Sequence, residues 1–169
     1  MYKEKSVAAV VPAYNEEKLI GRVIETMPDF VDWIVVVDDC SSDRTAQEVA
    51  GYCEQDAWGE KLILIRHGEN RGVGGAIASG YKWCRDREVD VAAVMAGDAQ
   101  MDPDDLPALL GCVRLRLVQR TWPVRHSSAR VSGRTDFALA RVPAELKSFK
   151  SGSFYVVPCS SLAEFDPGQ

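Results

Sequence analysis

The chain has 169 residues, of which 46% are hydrophobic and 27% are charged, so it is long enough to bury the core of one globular domain. Its formal net charge of −5 gives no reason to expect a nucleic-acid partner. The five cysteines are an odd number without CxxC spacing, which argues against a zinc site or a disulfide framework and indicates a reducing compartment. We therefore predict a cytoplasmic protein. Because no apolar run is long enough to span a bilayer, contact with the inner face of a membrane would be peripheral or made through a partner.

Charge is divided unevenly along the chain. Residues 1–110 hold 11 Lys and Arg against 21 Asp and Glu, whereas residues 111–169 hold 9 against 4. Such asymmetry indicates two segments with different roles or origins, with a boundary near Gly111. The second segment is divergent, truncated or frame-shifted, or it is a different acceptor domain. We favour a change of reading frame, and the sequence leaves these alternatives open.

Residues 1–110 alternate short apolar runs with stretches of helical periodicity. The predicted strands are residues 6–12, 33–37, 61–65 and 89–95, and the predicted helices are residues 16–27, 44–53, 72–84 and 102–110. This alternation predicts an α/β fold in which a parallel sheet has helices on both faces. We expect the spatial strand order 3-2-1-4, with a ligand site where the order reverses between the first and fourth strands. After Gly111 only residues 113–118 and 152–157 are candidate strands.

Acidic residues follow three of the four predicted strands. Glu16 follows the first strand, Asp38 and Asp39 follow the second, and Asp98 and Asp102 follow the fourth. Parallel strands end at one edge of a sheet, so these carboxylates are expected to converge there. Such a cluster is costly unless a cation offsets it, and Mg²⁺ or Mn²⁺ carrying a diphosphate fits because hard cations prefer these oxygens. A single acid in such a place is more often a helix cap, so the prediction depends on convergence.

A glycine-rich segment, ENRGVGGA at residues 69–76, follows the third predicted strand and opens a helix. Backbone N–H groups at the positive end of a helix suit a phosphate or a ribose. The spacing is neither GxGxxG nor a Walker loop. A tight turn with close helix packing explains the glycines equally well, so the segment alone does not decide.

Three further side chains have ordinary explanations. His67 follows the third predicted strand, and a single histidine is more often a surface or packing residue than a catalyst. Tyr81 and Trp83 lie on the third predicted helix, where a role in the core or an interface is more common than a sugar platform.

Four segments together resemble family 2 glycosyltransferases, including the dolichyl-phosphate-mannose-synthase-like branch. In chain order they are VVPAYNEEKLIGRVI, IVVVDDCSSDRT, HGENRGVGGAIASGYKW and VMAGDAQMDPDDLPALL. The resemblance covers about residues 6–110 and implies the GT-A fold, a Rossmann-like sheet that forms the nucleotide-sugar-binding half. It implies that Asp39 accepts a hydrogen bond from the base. The implied nucleotide-binding positions are Pro12, Tyr14, Glu16, Asp38, Asp39, Arg71, Gly72 and Gly74.

The resemblance also implies a metal site. Asp98 corresponds to the last Asp of the family's Asp-x-Asp metal motif, and the first Asp falls on Ala96. Asp98 is therefore the implied metal ligand and catalytic carboxylate, with Gln100 or Asp102 as a helper. Since the chain supplies few ligands, we expect Mg²⁺ or Mn²⁺ to arrive with the nucleotide.

The predicted function is transfer of a sugar from a nucleoside-diphosphate sugar to an acceptor such as a polyprenyl phosphate. The alternative is a non-catalytic nucleotide-binding module without the acceptor half. That alternative arises because the four carboxylates after Gly111 lie in no motif that predicts a catalytic base. A phosphate-accepting signalling domain is disfavoured, because the glycine-rich segment would have no role in it.

Overall fold

The computed structural model describes residues 2, 4–107, 110 and 155–159. Its strands are β1 (Val7–Ala13), β2 (Trp33–Asp38), β3 (Leu62–Arg66), β4 (Val91–Val94) and β5 (Tyr155–Pro158). Its helices are α1 (Ile20–Glu25), α2 (Thr45–Cys53) and α3 (Gly72–Asp86), and a 3₁₀ turn covers Pro103–Asp105. Among these described residues, no helix is long and apolar enough to cross a membrane.

The five strands form one sheet with the order β3-β2-β1-β4-β5. The first four strands are parallel, which confirms the predicted order 3-2-1-4. The fifth is antiparallel to β4, with Val91 opposite Pro158 and Val94 opposite Tyr155. A strand is therefore present where residues 152–157 predicted one, and it joins the sheet built by residues 1–110. The other candidate strand, residues 113–118, lies outside the described residues.

Apolar residues cover both faces of the sheet, which explains why β1 is apolar throughout. On one face Val11 packs with Ile20 of α1 and Val49 of α2, all buried. On the other face Val10 packs with Ala76 of α3. Burying an aliphatic side chain of this size stabilises the fold by about 1.5–3 kcal/mol, so both layers contribute. The predicted helices on both faces are confirmed.

Helix α3 lies unusually close to the sheet. A Cβ added at Gly80 would overlap Cγ1 of Val10, so only glycine allows this approach. Tyr81 is buried in the same layer, and half-buried Trp83 packs against it with its ring edge-on to Trp33. The assignment of these two aromatic residues to the core and its margin is confirmed.

Helix α1 is shorter than the predicted helix at residues 16–27. The N–H groups of Glu16 and Glu17 would have no partner within a helix that starts here, and side chains that follow β2 bond them: Glu16 N donates to Thr45 Oγ1 and Glu17 N donates to Asp43 Oδ2. Residues 17–19 form turns, and regular α-helix starts at Ile20. Periodicity located the buried face correctly, but it placed the start of the helix too early.

The predicted helix at residues 102–110 begins as the 3₁₀ turn. Asp102 caps it, since its side chain accepts a hydrogen bond from Asp104 N at 3.0 Å. Leu106 and Leu110 are helical and buried against the sheet. A helical segment therefore starts where residues 102–110 predicted one, and its first turn is tighter than an α-helix.

Candidate functional site

An open cavity of about 190 Å³ lies beyond the carboxyl ends of β1 and β4, beside the first turns of α3. This is the predicted position, where the strand order reverses. The residues that line it are Pro12, Ala13, Tyr14, Glu16, Asp39, Val73, Ala76, Ala96, Gly97 and Asp98. Carboxylates that are far apart in sequence therefore converge on one cavity.

The loops after β1 and β2 are bonded to each other. Asn15 Oδ1 accepts a hydrogen bond from Ser42 N at 2.9 Å, and Asn15 N donates to Ser41 Oγ at 3.0 Å. Glu16 N donates to Thr45 Oγ1 at 2.7 Å, which fixes the backbone beneath the Glu16 side chain. These reciprocal bonds hold one part of the cavity in place before any ligand binds.

The loops after β1, β2 and β4 each contain one non-glycine residue with a positive φ angle. The values are 58° at Asn15, 61° at Cys40 and 54° at Ala99. Asparagine tolerates this conformation, whereas cysteine and alanine do so at a cost of about 1 kcal/mol or more. The surrounding contacts must therefore hold the loops in shape, and strained backbone of this kind concentrates at functional sites.

Asp39 is the most constrained carboxylate of the cavity. Its Oδ1 lies 2.6 Å from His67 Nδ1 and accepts a hydrogen bond from Arg71 N at 2.9 Å. The Asp39 side chain is 4% exposed. The structure thus ties the end of β2 to the end of β3 and the start of α3 through one oxygen atom.

Asp38 has a different environment from its neighbour. It is buried, and its Oδ1 has no hydrogen-bond partner among the described residues. Its Oδ2 lies 4.0 Å from Nε of Arg66, which is the residue opposite it in β3. Asp38 does not belong to the described lining of the cavity, so its predicted part in nucleotide binding stays a prediction.

Glu16 and Asp98 bring two negative charges to the same cavity. Burial raises the pKa of Glu16, and the carboxylates of Asp98 and Asp43 raise it further. Asp98 is half-buried, and its Oδ1 accepts a hydrogen bond from Gln100 N at 3.1 Å, within its own loop. This concentration of negative charge is favourable only if a cation or a hydrogen-bond donor joins it.

The start of α3 differs in detail from the expectation of free N–H groups. Arg71 N is bonded to Asp39, and Gly72 N donates to Asn70 Oδ1 at 3.0 Å. Gly72 has a φ of 73°, a conformation that favours glycine. Val73 and Ala76 line the cavity, whereas Arg71, Gly72 and Gly74 are not among its described lining residues.

Residues 8–114 match the family model described as glycosyl transferase family 2. This match covers more than half of the chain. The chain belongs to glycosyl transferase family 2. Together with the strand order, the match confirms the predicted GT-A type of α/β fold.

Named relatives agree with this family. The chain is 32% identical over 117 residues to UDP-N-acetylglucosamine–dolichyl-phosphate N-acetylglucosaminyltransferase of Methanococcus voltae, covering 63% of this chain and 47% of the relative. It is 33% identical over 113 residues to undecaprenyl-phosphate mannosyltransferase of Micrococcus luteus, covering 64% of this chain and 44% of the relative. The chain thus spans less than half the length of these curated relatives. They place it in the branch of the family that contains polyprenyl-phosphate sugar transferases.

A solved structure is similar to the same part of the chain. It is the mannosyltransferase PcManGT from Pyrobaculum calidifontis, in complex with GDP-Man and Mn²⁺. The identity is 26% and the TM-score is 0.51, over 62% of this chain and 30% of that protein.

The donor atoms of this family member fit a divalent cation only with help from a ligand. Glu16 and Asp98 supply the hard oxygen atoms that Mg²⁺ and Mn²⁺ prefer. In the part of the chain that the structure describes, no three His, Cys, Asp or Glu side chains converge into a metal-binding group. The exposed Gln100 is bonded to Asp98 through its backbone N–H. Phosphate oxygens would have to complete the coordination.

Sequence reasoning missed His67 as part of the site. Its side chain is 5% exposed and bonds Asp39, so it is neither a surface residue nor an ordinary apolar packing residue. One signal was present, because His67 directly follows β3, whose carboxyl end lies beside that of β2. The lining by Val73 and Ala76 was also missed, since apolar residues on a helix carry no functional signal on their own.

Proposed function

We propose that this chain transfers a sugar from a nucleoside-diphosphate sugar to a polyprenyl phosphate. The observation that carries the proposal is the convergence of Glu16, Asp39 and Asp98 on one cavity at the reversal of strand order. The names of the relatives support the acceptor class, because they include dolichyl phosphate and undecaprenyl phosphate.

Each part of the donor has a matching part of the cavity. Asp39 presents a carboxylate oxygen to the base, and Pro12 and Tyr14 supply an apolar wall with Tyr14 half exposed. The ribose and diphosphate lie towards the first turn of α3, near Gly72 and Gly74, where the helix dipole favours negative charge.

Asp98 and Glu16 hold Mg²⁺ or Mn²⁺ in this proposal, with Gln100 nearby. When bound, the cation supplies Lewis-acid stabilisation of charge on the leaving diphosphate. The role of Asp98 is to fix the diphosphate at the end of β4, facing the sugar. The raised pKa of Glu16 supports this assignment, because a cation between Glu16 and Asp98 would offset their mutual repulsion.

The acceptor determines the location in the cell. A polyprenyl phosphate is embedded in a membrane, so we propose a protein that acts peripherally at the inner membrane face while its donor site stays in the cytoplasm. In this proposal residues 1–110 form the donor half, and β5 extends its sheet.

The decisive experiment measures transfer directly. The full chain is incubated with Mn²⁺, undecaprenyl or dolichyl phosphate, and radiolabelled UDP-N-acetylglucosamine or GDP-mannose. We expect label to enter the organic phase with one of the donors, and Asp98→Asn to remove that product. Binding of donor without any transfer would favour the non-catalytic nucleotide-binding module instead. Absence of binding to every nucleoside diphosphate would refute the proposed function.

A further inference from the structure

Three polar side chains form a hydrogen-bonded chain that begins at the cavity, with Asp39 and His67 buried and Ser79 half-buried. His67 Nδ1 lies 2.6 Å from Asp39 Oδ1, and His67 Nε2 lies 2.8 Å from Ser79 Oγ. The side chains of His67 and Asp39 are 5% and 4% exposed. Ser79 lies on α3, three residues after Ala76, which lines the cavity. This row of hydrogen bonds therefore runs from Ser79 on α3, through His67, to Asp39 at the cavity.

The direction of these hydrogen bonds follows from the chemistry of the groups. An ionised carboxylate can only accept, so His67 Nδ1 carries the proton and donates to Asp39. In the neutral imidazole Nε2 then has a free lone pair, which accepts the hydroxyl proton of Ser79. Asp39 therefore selects this tautomer of His67, and the Ser79 hydroxyl, which can donate or accept, provides the partner of Nε2.

One carboxylate oxygen of Asp39 is left for a ligand. Oδ1 receives two donors, His67 Nδ1 and Arg71 N. Oδ2 has no hydrogen bond among the described residues, yet it is not a buried unpaired atom, and Asp39 lines the cavity. Since both bonds fix Oδ1, the orientation of Oδ2 is fixed as well.

We infer that His67 is a positioning residue for nucleotide recognition, which holds Asp39 so that Oδ2 faces the base. This inference rests on the proposed function and adds a residue that touches neither base nor sugar. The backbone supports the arrangement, because His67 N donates to Asp38 O at 2.9 Å and so fixes the histidine beside β2. A carboxylate aimed in this way selects a base that presents an N–H group. Because His67 holds Asp39 in this orientation, the Asp39 side chain loses less conformational entropy when the base binds.

The test compares variants that differ only in the donor at the position of Nδ1. His67→Leu removes the donor and keeps an apolar side chain in the buried space, whereas His67→Asn retains an N–H group near the place of Nδ1. Calorimetry with Mn²⁺ measures the Kd for UDP or GDP, whichever the wild type binds more tightly, and the Kd for inorganic diphosphate. We expect His67→Leu to weaken nucleotide binding about tenfold, as for loss of a hydrogen bond to a charged group. His67→Asn should recover most of the loss.

Ser79→Ala provides a second variant that disturbs the protein less. It leaves His67 in place but removes the partner of Nε2, so we expect a smaller weakening of nucleotide binding, about threefold. The affinity for inorganic diphosphate should stay within about twofold in every variant, because diphosphate has no base to meet Asp39.

The outcomes separate the inference from the proposed function. Wild-type nucleotide affinity in a folded His67→Leu protein would overturn the positioning role, as would equal losses for nucleotide and diphosphate or no recovery in His67→Asn. If His67→Leu fails to fold, unchanged nucleotide affinity in Ser79→Ala overturns it. A wild type that binds no nucleoside diphosphate refutes the proposed function and the inference together. Binding without sugar transfer leaves the inference intact and contradicts only the transfer step.

Discussion

The loops after β2 and β4 both bring an aspartate to the cavity, but the chain builds them in different ways. Asp39 is almost fully buried and bonded to His67 and to the backbone of Arg71. Asp98 is half-buried, and its described hydrogen bond comes from Gln100 in the same loop. The carboxylate of Asp39 is therefore held by contacts with other elements, whereas the carboxylate of Asp98 is held only within its own loop among the described residues. We call these the Asp39 side and the Asp98 side of the site. A base is a rigid group, so a carboxylate that is already held in place loses little entropy on binding it. A cation of this kind is usually bound by one or two carboxylates together with the phosphates of its ligand.

Replacement of Asp39 by alanine tests the Asp39 side and should have the largest effect. We expect the affinity for UDP or GDP to fall about tenfold to a hundredfold, since a hydrogen bond to a charged group contributes about 1.5–3 kcal/mol. Calorimetry measures the change, and circular dichroism checks the fold. Asp56→Ala, which removes an exposed carboxylate in the turn after α2, is the control and should bind normally. Unchanged affinity in a folded Asp39→Ala protein would remove Asp39 from base recognition.

Replacement of Asp98 by asparagine tests whether Asp98 holds the cation together with the diphosphate. The wild type should show negligible affinity for Mn²⁺ alone and should bind the nucleoside diphosphate more tightly when Mn²⁺ is present. Asp98→Asn should abolish that gain, on the order of tenfold, and leave the metal-free affinity nearly unchanged. Gln100→Ala should reduce the gain only slightly, because its described contact to Asp98 is through the backbone. Tight binding of Mn²⁺ without nucleotide would contradict a site shared between protein and diphosphate.

A substitution at Gly97 tests how closely the ends of β1 and β4 are packed. A Cβ at this buried position would lie 3.1 Å from Pro12 O and 3.3 Å from Ala13 Cβ, so the ends of β1 and β4 would have to separate slightly. We expect Gly97→Ala to lower the free energy of unfolding by about 1 kcal/mol and to weaken nucleotide binding a few-fold. Gly51→Ala is the matched control, since Gly51 is an exposed residue of α2 and an added Cβ there meets nothing within 4 Å. Alanine there should stabilise the protein by about 0.5–1 kcal/mol. Equal stability of the two variants in denaturant titrations would show that the ends of the strands adapt.

The fold was predictable because its signals are local and repeated. Four apolar runs with helices between them were enough to predict a parallel sheet, and the strand order followed from the position expected for a ligand site. The start of α1 at Ile20 was not predictable, because the turns at residues 17–19 precede it without a break in the helical periodicity. The bonds from Thr45 and Asp43 to the backbone of Glu16 and Glu17 join residues that are far apart in sequence, and periodicity carries no information about such contacts.

The candidate site was predictable only in part, for a related reason. Glu16, Asp39 and Asp98 line the cavity as expected, since their types and places after strands are visible in the sequence. The sequence did not show that Asp39 lines the cavity and Asp38 does not. Successive side chains at the end of a strand point to opposite faces of the sheet, and the neighbours on each face come from other elements. His67 was assigned to the surface or to packing as a single histidine, since its partners Asp39 and Ser79 lie on other elements and are not visible beside it in the sequence.

A substitution at Glu16 should have the smallest effect, and it tests whether Glu16 faces a bound cation. Burial raises the pKa of Glu16 above its ordinary value of 4.5, and Asp98 and Asp43 raise it further. The folded protein therefore holds this proton more tightly than the unfolded chain, so the contribution of Glu16 to stability is largest at low pH and is lost as pH rises through the raised pKa. Glu16→Gln lacks this penalty and should raise the Tm at pH 7 by about 1 °C, a small effect because solvent screens a partly exposed group.

The Tm difference between Glu16→Gln and the wild type should disappear once the pH falls below 4.5, where Glu16 is protonated in both states. Glu54→Gln, which alters an exposed carboxylate after α2, should show no such pattern. Adding Mn²⁺ with UDP or GDP at pH 7 should reverse the order of the two proteins, because the cation stabilises the ionised Glu16 of the wild type and finds a weaker partner in glutamine. A wild type that remains less stable than Glu16→Gln at saturating nucleotide and Mn²⁺ would show that Glu16 faces no cation. Asp98 would then be the only carboxylate of this pair to hold one.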